Sequence, residues 1–129
     1  MKSVRLTLTI CIFSSIAYAN EDVDGCLKKA KTTNDSEMCV EADVKRLDAE
    51  LLRVYERTVL MDNEKGAVDA LRKAQDTWER YRDQDCEAVS LTYGSGTYAT
   101  TAYHLCMKDH ANQRISDLKA WHPAEWEKH

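Results

Sequence analysis

The side chains with the most reactive chemistry in this chain lie near its C-terminal end. His104, Cys106 and His110 fall within seven residues and could supply nitrogen and sulfur ligands to a zinc ion. On a helix only Cys106 and His110 share a face, because residues four apart are neighbours, and His104 points elsewhere. A zinc site would also need Cys106 as a free thiolate, which an oxidising compartment opposes. We predict no metal site and no cofactor.

Acid–base or nucleophilic catalysis is the second chemistry to consider. Glu79 and Asp83 are four residues apart, so a helix would place both carboxylates on one face, as a general acid–base pair requires. Pairs of this kind are common on solvated helix surfaces. Ser95 lies in a Gly-Ser-Gly tripeptide but lacks the G-x-S-x-G frame and a preceding strand pattern. We therefore predict no catalytic residues and a protein that is not an enzyme.

Helices are the elements that must position these side chains. A short first helix starts near Asp24 and carries Cys26. A second starts at Asn34, whose spacing to Glu37 is that of a capping box, and runs to about Met61. Its apolar stripe, with intervals mostly of three and four, consists of Val40, Val44, Leu47, Leu51, Val54, Tyr55 and Thr58.

Two further helices follow a turn and a loop. The polar segment 62–66 ends the second helix, with Gly66 suited to a left-handed conformation. The expected core stripe of the third helix consists of Val68, Leu71, Ala74, Gln75, Trp78, Tyr81, Asp85 and Val89. Ser95 or Thr97 could cap the fourth helix, and the tail after residue 120 is expected to fray. The fold class predicted is all-α, a small antiparallel helical domain of about four helices stapled by two disulfides.

Residues 1–19 have the order of a secretory signal peptide. Lys2 and Arg5 precede an apolar run of eleven residues, and an Ala-Tyr-Ala site ends at Ala19. The run is shorter than the roughly 20 apolar residues of a membrane span. We predict cleavage near Ala19, a periplasmic or secreted protein without stable membrane insertion, and a single helical domain over residues 20–129.

Four cysteines remain once the leader is removed: Cys26, Cys39, Cys86 and Cys106. An even number in a small exported domain predicts two disulfides, for which three connectivities exist. We favour the sequential pairs Cys26–Cys39 and Cys86–Cys106, since loops of about 13 and 20 residues are short enough to staple neighbouring helices. Nested pairing of Cys26 with Cys106 is the alternative that the sequence leaves open.

Charge bears on the class of partner. The full chain has a net charge of −4, and removal of Lys2 and Arg5 with the leader would make it −6. This sign disfavours nucleic acid and anionic membranes, because both repel an acidic protein. It suits a cationic protein partner.

A family resemblance is strongest in residues 71–86, which read LRKAQDTWERYRDQDC. They closely resemble the LR-x-A-Q-x-x-W-x-x-Y-R-D-x-x-C core of the LprI-type lysozyme inhibitor family. Residues 48–55, DAELLRVY, are similar to that family's DAELNxxY segment, with Leu52 in place of the usual Asn. The ending also resembles the family's, through Gly94, Ser95, Cys106, Arg114 and Leu118, with Ala111 where a Thr is common.

Most of this family motif is interpreted as structural. The residues concerned are Leu71, Gln75, Trp78, Tyr81, Arg82 and Asp83. Trp78 and Tyr81 are expected in the core, because large aromatic side chains dominate the burial energy of small domains. Arg82 is expected to make a polar contact that holds the fold together.

The resemblance implies an exported helical protein that binds and inhibits lysozyme. Lysozymes are strongly cationic, so the negative charge of this chain would speed their association. We expect inhibition by occlusion of the lysozyme cleft. The expected contact is the Gly-rich loop YGSGTY, with Tyr93, Gly94, Ser95, Gly96 and Tyr98 as its binding residues. The alternative is an envelope adaptor or immunity-type module that binds another exported protein.

Overall fold

The computed structural model describes residues 22–127, which form helices joined by short connections and contain no strand. The helices are α1 (Val23–Lys29), α2 (Thr33–Met61), α3 (Lys65–Leu91), α4 (Thr97–Ala120) and α5 (Pro123–Trp126). The predicted all-α class is confirmed, with α5 as a short addition to the four expected helices. The signal-peptide prediction for residues 1–19 lies outside the described residues. No described helix is long and apolar enough to cross a membrane.

The starts of the first two helices differ from prediction by two residues each. α1 is capped by Asp22, whose carboxylate accepts a hydrogen bond from the Gly25 N–H at 2.6 Å. α2 is capped by Thr32: its hydroxyl accepts from the Asp35 N–H at 3.1 Å, and the Asp35 carboxylate accepts from the Thr32 N–H at 2.9 Å. Thr32 and Asp35 have the same three-residue spacing as Asn34 and Glu37, and spacing alone does not choose between overlapping boxes.

α4 is the central helix of the domain. It packs along both α2 and α3, whereas α2 and α3 make few close contacts with each other. The main core forms where the three helices meet and consists of Leu47, Leu51, Val54, Leu71, Ala111, Ile115 and Leu118. Ala99, Ala102 and Ala111 are all buried on α4, and their small side chains allow it to lie close to two helices at once.

Both disulfides have the sequential pairing that we favoured. Cys26–Cys39 joins α1 to α2, and Cys86–Cys106 joins α3 to α4. Cys86 is fully buried in a second core cluster that includes Val44. The two bonds therefore differ in their setting, since one holds a short peripheral helix and the other lies inside the core.

The buried stripe of α3 is rotated from the predicted one. The buried residues of α3 are Leu71, Gln75, Arg82 and Cys86. Tyr81 is 54% exposed, and its ring meets the His110 ring edge to face with their centres 5.4 Å apart. The expectation that Tyr81 belongs to the core was wrong. Positions 71, 75, 82 and 86 lie on one side of a helix with 3.6 residues per turn. Position 81 is turned about 100° from position 82 and points away from that side.

Two local expectations at chain connections were also wrong. Gly66 lies inside α3 and has no positive φ, because the helix begins one residue earlier than the assumed turn allows. The tail does not fray at Trp126, which packs against the main core. The Arg57 guanidinium lies 4.3 Å from the centre of the Trp126 ring and donates to the Glu125 carbonyl at 3.0 Å.

A partly buried ion-pair cluster joins α2 to α4. Asp43 is 7% exposed, and its carboxylate lies 2.7 Å from Arg46 and 2.9 Å from Lys108. Burial alone would raise the pKa of Asp43, but the hydrogen bonds and charges of Lys108 and Arg46 outweigh it and hold the pKa below its usual value. Asp43 is therefore a charged contact between the two helices.

Candidate partner-binding surfaces

The connection between α3 and α4 forms an exposed tip, defined here as residues 91–98. Every residue of the tip is exposed, including all five that the sequence predicted to bind a partner. The Tyr93 and Gly94 N–H groups donate to the carbonyls of Ser90 and Leu91 at 3.0 and 3.1 Å. Gly94 has φ +67°, a left-handed conformation that strains other residues. The tip is thus an ordered turn between two long helices.

Two tyrosine side chains form the apolar part of the tip. The rings of Tyr93 and Tyr98 meet edge to face with their centres 4.9 Å apart, and each residue remains 51% exposed. Leu91 beside them is 70% exposed. Ser95 and Thr97 do not cap α4, because Gly96 occupies the N-cap position and has no side chain to do so. The tyrosine pair therefore stands in solvent on a fixed turn.

A second surface feature is a cleft of about 320 Å³ between α2 and α3, called the α2–α3 cleft here. It exists because α4 holds these two helices side by side while they make few contacts with each other. Its apolar and aromatic walls are Leu51, Leu52, Tyr55 and Trp78. Its carboxylates are Asp48, Asp76, Glu79 and Asp83. All of these residues come from the two sequence segments that carry the family resemblance, 48–55 and 71–86.

A polar network forms the inner side of the cleft. The Arg82 guanidinium donates to the Asp48 carboxylate at 2.7 Å and lies 5.0 Å from the centre of the Trp78 ring. Arg114 of α4 donates to the Gln75 side-chain oxygen at 3.0 Å. Burial lowers the pKa of Arg114, although nearby Asp117 opposes the shift. The expected structural contact of Arg82 is present, and it links α2 to α3.

Two other groups considered from the sequence are the cysteine–histidine group and the carboxylate pair of the third helix. Cys86, Cys106 and His110 have ligand atoms within 4.8 Å of one another, but the two sulfur atoms are bonded together and cannot act as thiolates. The imidazole Nε2 of His110 lies 2.8 Å from the Asp85 carboxylate. Glu79 and Asp83 share a face, as expected for residues four apart, and that face lines the α2–α3 cleft.

Sequence reasoning missed the cleft itself. Tyr55 was assigned to the apolar stripe of the second helix, Asp48 only to a family segment, and Asp76 to no binding site. The sequence contained one usable signal: Asp76, Glu79 and Asp83 are spaced three and four apart, which aligns three carboxylates on one helix face. The opposing wall comes from α2, and periodicity within α3 cannot reveal it.

Comparison with known proteins identifies a relative and a family. A curated relative, an uncharacterized protein of Rhizobium meliloti, is 29% identical over 126 residues, which cover 88% of this chain and 89% of that protein. No solved structure gives a significant match. The family described as lysozyme inhibitor LprI matches residues 26–118, a span that contains both disulfides, the tip and the α2–α3 cleft. The chain belongs to the LprI lysozyme inhibitor family.

Proposed function

We propose that this protein inhibits a lysozyme by placing its tip in the active-site cleft of that enzyme. The family supplies the class of partner, because its members are described as lysozyme inhibitors. The manner of inhibition and the contact residues are our inference. The tyrosine pair Tyr93 and Tyr98 on the ordered tip is the single observation that supports the assignment most directly.

The physical form of the tip suits insertion into a concave site. Its turn is held by hydrogen bonds, and the Ser90 hydroxyl donates to the Ala99 carbonyl at 3.0 Å across its base. A turn ordered before binding loses little conformational entropy when a partner immobilises it. Tyrosine side chains contribute large contact areas and are enriched among the residues that dominate interface energies. An exposed aromatic pair on such a turn is typical of a binding contact.

Charge adds a second, less specific contribution. The full chain has a net charge of −4, and lysozymes are cationic. Attraction between opposite charges raises the association rate more than it determines the final contact. We therefore assign the charge to encounter and the tip to occlusion. Periplasmic or secreted localisation, with cleavage near Ala19, remains part of this proposal.

The direct test is inhibition by the Tyr93→Ala/Tyr98→Ala variant. We expect the concentration that gives half-maximal inhibition of cell-wall lysis to rise about 30-fold or more, since truncating a dominant interface aromatic costs about 2 kcal/mol or more. The measurement is a turbidity assay with lysozymes of several types. Helical circular dichroism should be unchanged, because the two rings contact each other at an exposed site.

Tyr81→Ala is the matched control for this test. Tyr81 is 54% exposed, comparable to the tip tyrosines, but lies near the middle of α3. We expect its inhibition to stay within about threefold of the unaltered protein, an allowance of under 1 kcal/mol typical of near-neutral interface positions. Undiminished inhibition by the tip variant would contradict the tip assignment. If the unaltered protein protects cells from none of the lysozymes and captures a different exported protein, the adaptor alternative is favoured.

A further inference from the structure

We propose that the α2–α3 cleft binds a lysine or arginine side chain from the surface of the lysozyme that contacts the tip. The inference rests on the proposed function for the identity of the partner. The cleft supplies a second, separate contact, with its own chemistry and its own variants. Its lining combines carboxylates, which can pair with the charged head of a lysine or arginine, with apolar surface, which can contact the aliphatic stem.

The charge of the cleft is strongly one-sided. Four carboxylates and one guanidinium line it, and Arg82 already pairs with Asp48 at 2.7 Å. Asp76 and Asp83 have no cationic partner within ion-pair distance among residues 22–127. Arg72, on the same helix, instead lies 3.8 Å from Asp69. Two carboxylates at the cleft are therefore available to a cation from another molecule.

The alignment of these carboxylates costs α3 stability in the free protein. Asp76, Glu79 and Asp83 repeat at three and four residues, so they stand one above another on one helix face. Like charges in this arrangement destabilise a helix. A bound cation would remove this repulsion. The arrangement is unfavourable for an isolated helix and favourable for a cation-binding wall.

The opposite wall suits the aliphatic stem of the same side chain. Leu52 is 54% exposed, and Tyr55 beside it is half-buried and also borders an apolar depression with Val59 and Leu60. Lysine and arginine bury their methylene stems against apolar surface while the charged head stays in a polar site. The α2 wall therefore supports the stem, and the α3 wall receives the head.

Arg82 pairs with Asp48 at the inner side of the cleft and keeps one donor unpaired within residues 22–127. The residue is 9% exposed, and its Nε has no hydrogen-bond partner among the described residues. Buried donors normally have an acceptor, because leaving one unpaired is destabilising.

The cleft and the tip are close enough for one partner to contact both. Asp83 and Leu91 lie on α3, eight residues apart, which corresponds to about 12 Å along the helix axis. A small protein domain is about 30 Å across. The separation along the axis is therefore smaller than a single partner domain.

The test compares two triple variants that change the net charge equally. Asp76→Asn/Glu79→Gln/Asp83→Asn neutralises the cleft, and Asp24→Asn/Glu87→Gln/Asp109→Asn neutralises three exposed carboxylates elsewhere. The dissociation constant for lysozyme is measured by calorimetry at physiological salt, where the screening length is about 8 Å and distant charges contribute little. We expect at least a tenfold increase for the cleft variant and less than a threefold increase for the control.

Thermal denaturation separates a binding effect from a folding effect. We expect the melting temperature of the cleft variant to equal or exceed that of the unaltered protein, because neutralisation removes repulsion along α3 and glutamine at position 79 can still accept the Gln75 hydrogen bond, 3.1 Å in the unaltered protein. A tenfold loss of lysozyme affinity with unchanged stability would then support the cleft. Equal losses in both triple variants, or none in the cleft variant, would overturn it.

A probe that does not involve lysozyme decides the matter if the unaltered protein binds none of the lysozymes. N-acetyl-arginine amide is titrated against the labelled protein while backbone amide signals are followed by NMR, with N-acetyl-norleucine amide as the uncharged control. Arginine-specific shifts at Leu52, Tyr55 and Asp76 that are lost in the cleft variant would support the cleft and reject only the lysozyme partner. Shifts without this localisation, or none, would overturn the cleft as well.

Discussion

Replacing Cys86 and Cys106 together by alanine is expected to lower the free energy of unfolding by at least about 3 kcal/mol. The bond closes a loop with a sequence separation of 20 residues, and the chain-entropy treatment gives about 3 kcal/mol for loops of this length. Cys86 is also fully buried beside Val44, so truncation leaves a cavity that adds to the loss. Urea denaturation followed by circular dichroism measures the change.

The Cys26→Ala/Cys39→Ala variant separates the two contributions. Its loop has a sequence separation of 13 residues, so chain entropy alone predicts nearly the same loss, about 3 kcal/mol. α1 has no buried residue, and Cys39, although buried, belongs to neither core cluster, so less packing should be lost. We expect the core variant to be the less stable of the two. Equal stability would show that burial of the Cys86–Cys106 bond adds nothing to its loop constraint.

Asp43→Asn is expected to destabilise the protein by about 2 to 3 kcal/mol at neutral pH. The charged carboxylate accepts hydrogen bonds from Arg46 and Lys108 in a buried setting, and hydrogen bonds to charged groups contribute about 1.5 to 3 kcal/mol. The amide can replace neither the charge nor both contacts. Asp109→Asn, at an exposed position of α4, should change stability by less than about 0.5 kcal/mol.

The effect of Asp43 should depend on pH in a defined direction. Although burial opposes it, contact with Lys108 and Arg46 keeps the pKa of Asp43 in the folded protein below its value in the unfolded chain. The carboxylate therefore contributes its full stability above the usual carboxyl range and loses it as pH falls through the folded-state pKa. The difference between the unaltered protein and Asp43→Asn should be largest near pH 7 and shrink below about pH 4. A difference that stayed constant to pH 3 would contradict this account.

The elements that follow from local pattern were predictable from the sequence. In α2 the stripe that includes Val44, Leu47, Leu51 and Val54 is buried as expected, because apolar spacing of three and four directly describes one helix face. The pairing of Cys86 with Cys106 was also favoured correctly, since short loops staple sequential helices. The exposure of the tip followed from its glycines and the lack of an apolar stripe.

Features that depend on distant partners were not predictable in the same way. Arg82 is buried because Asp48, 34 residues earlier, accepts its hydrogen bond, and an apolar pattern leaves a charged residue outside the core. The predicted core stripe therefore included Tyr81 and not Arg82. Trp126 is held by Arg57 across a still longer separation, so the tail looked unstructured from its own residues. The α2–α3 cleft likewise requires the position that α4 gives to two other helices.

The central position of α4 also bears on the order of events when the chain first folds. Helices α2 and α3 precede it but have few contacts of their own, and the main core includes Ala111, Ile115 and Leu118 of α4. A growing chain that ends before residue 97 can form helical turns but has no shared core to close. Consolidation must wait for the last long helix, so the polypeptide stays open until nearly complete.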